Sequence, residues 1–245
     1  ITNKKMTHPT PPKDTIITDA GYLSVNPIVT SQRDNILRIV SGIKEPDIVG
    51  EEKKVYLLED IVVLVPFKSN PQNTNYSVDN FLSQRIAHHL YPDNIPYIYE
   101  SQTFGDEVYF VVERKPIVAS HLKKMRSQYT PEKFQQTRSW NRQWYVSPTV
   151  VCDAGTDHYA QDHYNLVYKI FREIKINSGL YVNNFPINIT FEDDNPIFLE
   201  LIEADEVRND FEKLKMFVDN PGRLSKDKNP GELLWYVNQL TSQQP

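Results

Sequence analysis

Cysteine is nearly absent. The 245-residue chain has one, Cys152, which excludes an internal disulfide and a multi-thiolate metal cluster and fits a reducing, cytoplasmic compartment. No apolar run approaches the roughly 20 residues a membrane helix requires. The polar, proline-rich start, ITNKKMTHPTPPKD, lacks the apolar core of a signal peptide. Glycine is scarce as well, 8 residues against 17 prolines, so the loops are stiffened rather than flexible. An excess of basic residues is missing too: 27 Lys and Arg face 32 Asp and Glu, a formal net charge of -5. That balance argues against a nucleic-acid binder that works through phosphate contacts. The basic residues Lys123, Lys124, Arg126, Lys133, Arg138 and Arg142 cluster locally and read either as a solvated helix face or as a patch.

What is present is enough apolar sequence for one large domain or two lobes. Residues 1–20 read as an extended lead-in. Asn35 to Ile43 (NILRIVSGI) reads as a first strand. Val55–Leu58 and Ile61–Phe67, two β-branched runs around Glu59-Asp60, read as a hairpin, with Pro66 demanding a bulge or a strand end. A helix with Phe81, Leu82, Ile86 and Leu90 at helical spacing follows, capped by Ser77 or Asp79. IPYIYES and EVYFVVERKPI read as strands around Phe104-Gly105-Asp106. Beyond Pro116 helices dominate: 117–128, 131–143, His163 to Ser178, 206–219 and 231–241. The expectation is an α+β chain with an N-lobe of antiparallel sheet plus one helix (21–115) and a mainly helical C-lobe (116–245).

The polar loop and hairpin within Ser178 to Asp205 concentrate candidate chemistry. Two amides, Asn183 and Asn188, lie in YVNNFPIN, and the hairpin NITFEDDNPIFLELIEA carries Glu200. Loops held between strands commonly carry function.

These residues resemble the protein-kinase-like superfamily, most closely small bacterial members such as the aminoglycoside and choline phosphotransferases. The family's catalytic loop reads H-x-D-x-x-x-x-N, and a metal-binding Asp ends the hairpin that follows. Tyr181-Val182-Asn183-Asn184-Phe185-Pro186-Ile187-Asn188 lies over that loop, with Asn183 at the base position and Tyr181 at the His. Glu200 falls on the metal Asp and Ala204 on the trailing Ala. IVVLVPFK resembles the strand that carries the phosphate-pairing lysine, here Lys68, and EVYFVVERKP resembles the strand leading to the adenine-contacting hinge around Glu113 to Lys115. The resemblance implies a two-lobed fold, ATP as cofactor, and Mg²⁺ on Asn188 and Glu200.

Four departures bear on activity. An amide at Asn183 cannot act as a base. No Gly-rich loop is present: only Gly42 and Gly50 lie near, with KEPDIVGEEKK between the strands. The inserted helix FLSQRIAHHL offers Gln84 and no Glu to pair with Lys68. Glu200 stands where an Asp is expected, with a longer reach. The resulting expectation is a pseudokinase that acts as a regulatory or protein-binding module with a protein partner. The alternatives are an atypical Mg²⁺-ATP-dependent phosphotransferase or nucleotidyltransferase, and an interaction protein that binds no nucleotide. In the last case Lys68 is a solvated strand-end lysine, the two Asn cap a loop, and Glu200 makes a salt bridge. Cys152, Asp153, His158, Asp162 and His163 form a second constellation with zinc-ligand chemistry. SWNRQWY, Ser139 to Tyr145, reads as a partner surface or as core.

Overall fold

A computed structural model of the chain describes residues 8–49, 53–67, 76–115, 169, 189–192, 195–198, 211–219 and 229–242. Contacts divide the chain into two units: Ile1–Pro92, Pro96–Arg114 and Val218–Pro245 form unit 1, and Asp93–Ile95 with Lys115–Phe217 form unit 2.

Unit 1 is built on a seven-stranded antiparallel sheet of β1 (Thr15–Thr18), β2 (Gly21–Ser24), β3 (Ile48–Val49), β4 (Lys53–Leu57), β5 (Ile61–Pro66), β6 (Ile98–Phe104) and β7 (Glu107–Glu113). The order is β1-β2-β6-β7-β5-β4-β3. The β4–β5 and β6–β7 hairpins stand where the apolar alternation places them. β5 ends at Pro66, which cannot donate to a ladder. On one face, Ile61, Val63 and Val65 of β5 join Tyr99, Tyr109 and Val111 in the main cluster, the period of two expected of strands. Each such buried side chain contributes about 1.5–3 kcal/mol relative to an exposed one. The alternate residues Leu64, Phe110 and Val112 are buried as well, so the interior strands are covered on both faces.

Two expectations for the first forty residues are corrected. Thr15–Thr18 is a strand within the stretch expected to be a lead-in; four β-branched residues in a row outweigh the prolines before them. The segment expected as a strand at Asn35 to Ile43 is instead helix α2 (Arg33–Val40), preceded by the short helix α1 (Pro27–Thr30). Its buried residues, Ile36, Ile39 and Val40, recur at helical rather than alternate spacing, and they complete the cluster on β5 together with Val29 of α1. Gly42 ends α2 with a φ of 70°. Its N–H bonds Ile39 O at 2.9 Å and that of Ile43 bonds Arg38 O at 2.9 Å, the paired closure of a helix that needs a left-handed residue.

α3 (Tyr76–Leu90) crosses from β5 to β6 and packs on β6 and β2. It is described from Tyr76 on, so positions 77 and 79 fall within its first described turn. The C-terminal helix α5 (Pro230–Ser242), expected with the C-lobe, packs on α3 in unit 1. Residues 21–115, expected to hold one helix, thus carry α1, α2 and α3. β2 approaches β6 so closely that a Cβ on Gly21 (φ 130°) would stand 2.3 Å from Ser101 O.

In unit 2, β8 (Ile189–Glu192) and β9 (Asn195–Phe198) form the expected antiparallel hairpin, with Ile189 opposite Phe198 and Glu192 opposite Asn195. Phe198 N donates to Asn94 O at 2.9 Å. α4 (Phe211–Val218) lies in this unit up to Phe217. Among the described residues no helix is long and apolar enough to cross a membrane.

Candidate functional site

Of the residues that the kinase resemblance selects, Lys68, Asn183, Asn188 and Glu200 lie outside the described residues, as does the Cys152–His163 constellation. The described chain frames them. Asn188 precedes Ile189, the first residue of β8, and Glu200 follows Phe198, the last of β9, by two residues. Lys68 follows Pro66 by two. Glu113 is placed directly. It ends β7 opposite Ile61, the first residue of β5. The six residues of β5, five steps along the strand, separate it from the other end by about 17 Å. Its carboxylate accepts from Tyr97 N at 3.0 Å while its own N–H donates to Tyr97 O at 2.7 Å. Arg114, the next residue, donates to Leu58 O and Asp60 O. These bonds fasten the exit from the sheet.

Gln84, on α3 where the resemblance wants a glutamate, is buried, and its Nε2 donates to Pro96 O at 3.0 Å. The amide thus anchors the turn after its own helix.

Two polar constellations in unit 1 escaped the sequence reading. The first centres on Arg85, whose side chain is fully buried on α3. A guanidinium has five N–H donors, and each finds an acceptor here. Nε donates to Ile98 O; Nη1 donates to the hydroxyls of Tyr97 and Tyr236; Nη2 donates to Thr15 Oγ1 and Tyr99 O. The two tyrosines pass the interaction on to carboxylates: Tyr97 donates to Asp14 at 2.8 Å and Tyr236 to Glu232 at 3.0 Å. Arg85 Nη1 itself lies 3.6 Å from Asp14 and 3.7 Å from Glu232, and its plane sits 3.8 Å over the Tyr97 ring. One side chain therefore ties β1, β6, α3 and α5 together. Desolvation pushes the Tyr236 hydroxyl far up, with Glu232 adding to the shift against the opposing charge of Arg85; it stays a neutral donor at every ordinary pH.

The second constellation centres on Glu100 of β6, fully buried. It accepts from both terminal nitrogens of Arg33 (2.7 and 2.8 Å), from Tyr109 Oη at 2.6 Å and from Ser24 N at 3.0 Å. Arg33 is the first residue of α2, so the pair fixes that helix to β6 and, through Ser24, to β2. Burial pushes Tyr109 up, and the neighbouring Glu100 charge adds to this. Hydrogen bonding to Glu100 raises Arg33 against the cost of burial. With its oxygens taken by four donors, Glu100 is an architectural carboxylate rather than a base.

Arg85 and Glu100 were detectable only as charged residues beside apolar neighbours, within FLSQRIAHHL and IPYIYES. Their partners lie as far as 151 residues away in sequence, beyond any local pattern. Among the described residues no group of three or more His, Cys, Asp or Glu is placed to hold a metal.

Glu232 makes unit 1 acid-sensitive. Burial opposes its ionisation, but His89 (3.5 Å away), the Tyr236 hydroxyl and Arg85 outweigh it and hold the carboxyl below its ordinary 4.5. Protons therefore bind the unfolded form more readily. The contribution is whole above that ordinary value and is lost as pH falls through the lower folded one. Urea midpoints measured from about pH 6 to pH 3 should fall for the wild type, and Glu232→Gln should be weaker at pH 6 with a shallower fall. Parallel curves would show that Glu232 is not a coupled group.

No family model matches the sequence, and no curated protein matches it.

Proposed function

We propose that the chain is a protein-kinase-like domain that has lost its catalytic base and works as a regulatory or protein-binding module. The observation that carries this reading is the path of the chain through the sheet. A hairpin (β4–β5), a crossing helix (α3) and a return through β6 to β7, which pairs with β5, follow the order in which the resemblance arranges the lysine strand, the inserted helix and the hinge strand. β7 ends at Glu113 and unit 1 breaks at Arg114, where the resemblance puts the hinge. The β8–β9 hairpin stands between Asn188 and Glu200, as the metal-bearing hairpin would.

The case for lost chemistry is one of residue type. Phosphoryl transfer in this fold depends on a carboxylate that takes the acceptor's proton and on a helix glutamate that fixes the lysine. Asn183 offers an amide for the first and Gln84 for the second. Control of kinases through movement of the inserted helix also fits poorly here. Residues 80–87 of α3 are all buried, and Arg85 fastens the helix to the sheet and to α5. A helix so clamped suits a fixed platform better than a switch.

Incubating the purified chain with Mg²⁺-ATP should give no γ-phosphate release above a buffer control. If a thermal shift with Mg²⁺-ATP reveals binding, Asn183→Asp should raise turnover. Turnover by the wild type that Lys68→Ala and Glu200→Ala each abolish would overturn the reading in favour of an active phosphotransferase.

A further inference from the structure

We propose that β1 is a self-pairing edge through which two copies of the chain join antiparallel, with Ile16 facing the partner subunit's Ile16 across a two-fold axis. β1 closes one side of the seven-stranded sheet. Sheet edges are normally guarded by charges, proline, a bulge or extreme shortness. The opposite edge, β3, has only the two residues Ile48–Val49. Within β1 itself no charge, proline or bulge interrupts the edge: Thr15, Ile16, Ile17 and Thr18 are all β-branched. Ile16 is 50% and Ile17 59% exposed, and the two project from opposite faces of the strand.

The backbone direction fixes which registers are open. Val25 N donates to Asp14 O at 2.8 Å, and Thr18 closes a two-residue loop with Gly21. Asp14, Ile16 and Thr18 thus turn their polar backbone groups toward β2, and Thr15 and Ile17 turn theirs outward. A two-fold antiparallel pair must set outward residues against outward residues, so the axis passes through a residue and not between two. Charge then selects the axis. Centred on Ile16, the pairing sets Thr15 against the partner subunit's Ile17 and Lys13 against the partner subunit's Asp19, each twice by symmetry. Centred on Thr15 or Ile17, it brings no opposite charges together. Lys13 and Asp19 are both exposed on the flanks of β1. Ile16 then occupies the non-hydrogen-bonded position where side chains approach most closely. The strand is short, so the dimer is weak, dissociating at roughly 10–100 µM.

Sedimentation velocity of the full chain across that range should show a monomer–dimer equilibrium. Ile16→Lys, at a half-exposed position that leaves the monomer's circular dichroism unchanged, should weaken it roughly tenfold. Lys13→Glu and Asp19→Lys should each weaken the dimer, and the double swap should restore it. Under mild oxidation Ile16→Cys should cross-link, because opposed residues there stand about 4.5 Å apart at Cα, whereas Ile17→Cys and the wild type should not. A chain that stays monomeric throughout, or a dimer indifferent to Ile16→Lys and to the charge swaps, overturns the proposal. Cross-linking through Ile17→Cys in place of Ile16→Cys overturns it as well, because the axis then lies elsewhere.

Discussion

Arg85→Ala is expected to cost roughly 3–5 kcal/mol of folding stability, a large fraction of what a domain has, read as a fall in the urea midpoint by circular dichroism. The truncation empties the volume the side chain fills between Phe81, Tyr97 and Tyr236. It also leaves Asp14 and Glu232 without the cation they share and removes the donor to two buried carbonyls, Ile98 O and Tyr99 O. Arg85→Lys separates charge from geometry. An ammonium keeps the charge but has three donors on a point, where the site is built for a planar fork with five. About half of the alanine loss should therefore remain. A neutral Arg85→Lys would mean that the fork does not hold these elements together.

Glu100→Ala should cost about 3 kcal/mol by the complementary route. The Tyr109 hydroxyl and Ser24 N–H lose their acceptor at once, and Arg33 loses both carboxylate oxygens and keeps the Ser24 carbonyl. Arg33 retains some access to water, its side chain being 25% exposed against 0% for Glu100, and this keeps the loss below that at Arg85. Because the desolvation of both charges offsets much of their attraction, the double change Arg33→Met/Glu100→Leu should be less damaging than Glu100→Ala alone. A double change that costs the sum of the two singles would show that the pair is not coupled.

The two networks share a design. Each sets an arginine of a helix against β6, adds tyrosine hydroxyl and backbone partners to the network, and reaches the N-terminal strands. Arg85 adds α5 to this set. The result is a unit in which β1, β2, α2, α3 and α5 are tied to the central strands by polar bonds that have directions, in addition to apolar contacts that have none. That rigidity is the structural basis for reading unit 1 as a platform.

Much of the sheet was legible because its strands announce themselves. IVVLVP is too apolar for anything but an interior strand, and the β6–β7 hairpin turns at Gly105 with a φ of 60°, as the sequence FGD suggests. α2 was misread because NILRIVSGI is rich in β-branched residues. Its 36/39/40 spacing and terminal Gly42 carried the contrary signal, and in the structure that signal decides. β1 was missed because TIIT is short and sits behind prolines. α5 was recognised as a helix, but nothing in its own residues tells which unit it joins; Tyr236 meets Arg85 across 151 residues of sequence. The same limit hid the two polar hubs. The candidate kinase residues came from one loop and one hairpin (Asn183, Asn188 and Glu200) and from the ends of two strands (Lys68 and Glu113). The structure supplies that hairpin, with Asn188 and Glu200 next to it in the chain.

The most direct test of the kinase-like reading is a crystal structure that fixes where Lys68, Asn183, Asn188 and Glu200 stand relative to one another. The account predicts that all four line a single cleft, with the Asn183 amide where a base would sit and Glu200 within reach of the same bound cation as Asn188. Finding Lys68 on a face remote from Asn188 and Glu200 would contradict it.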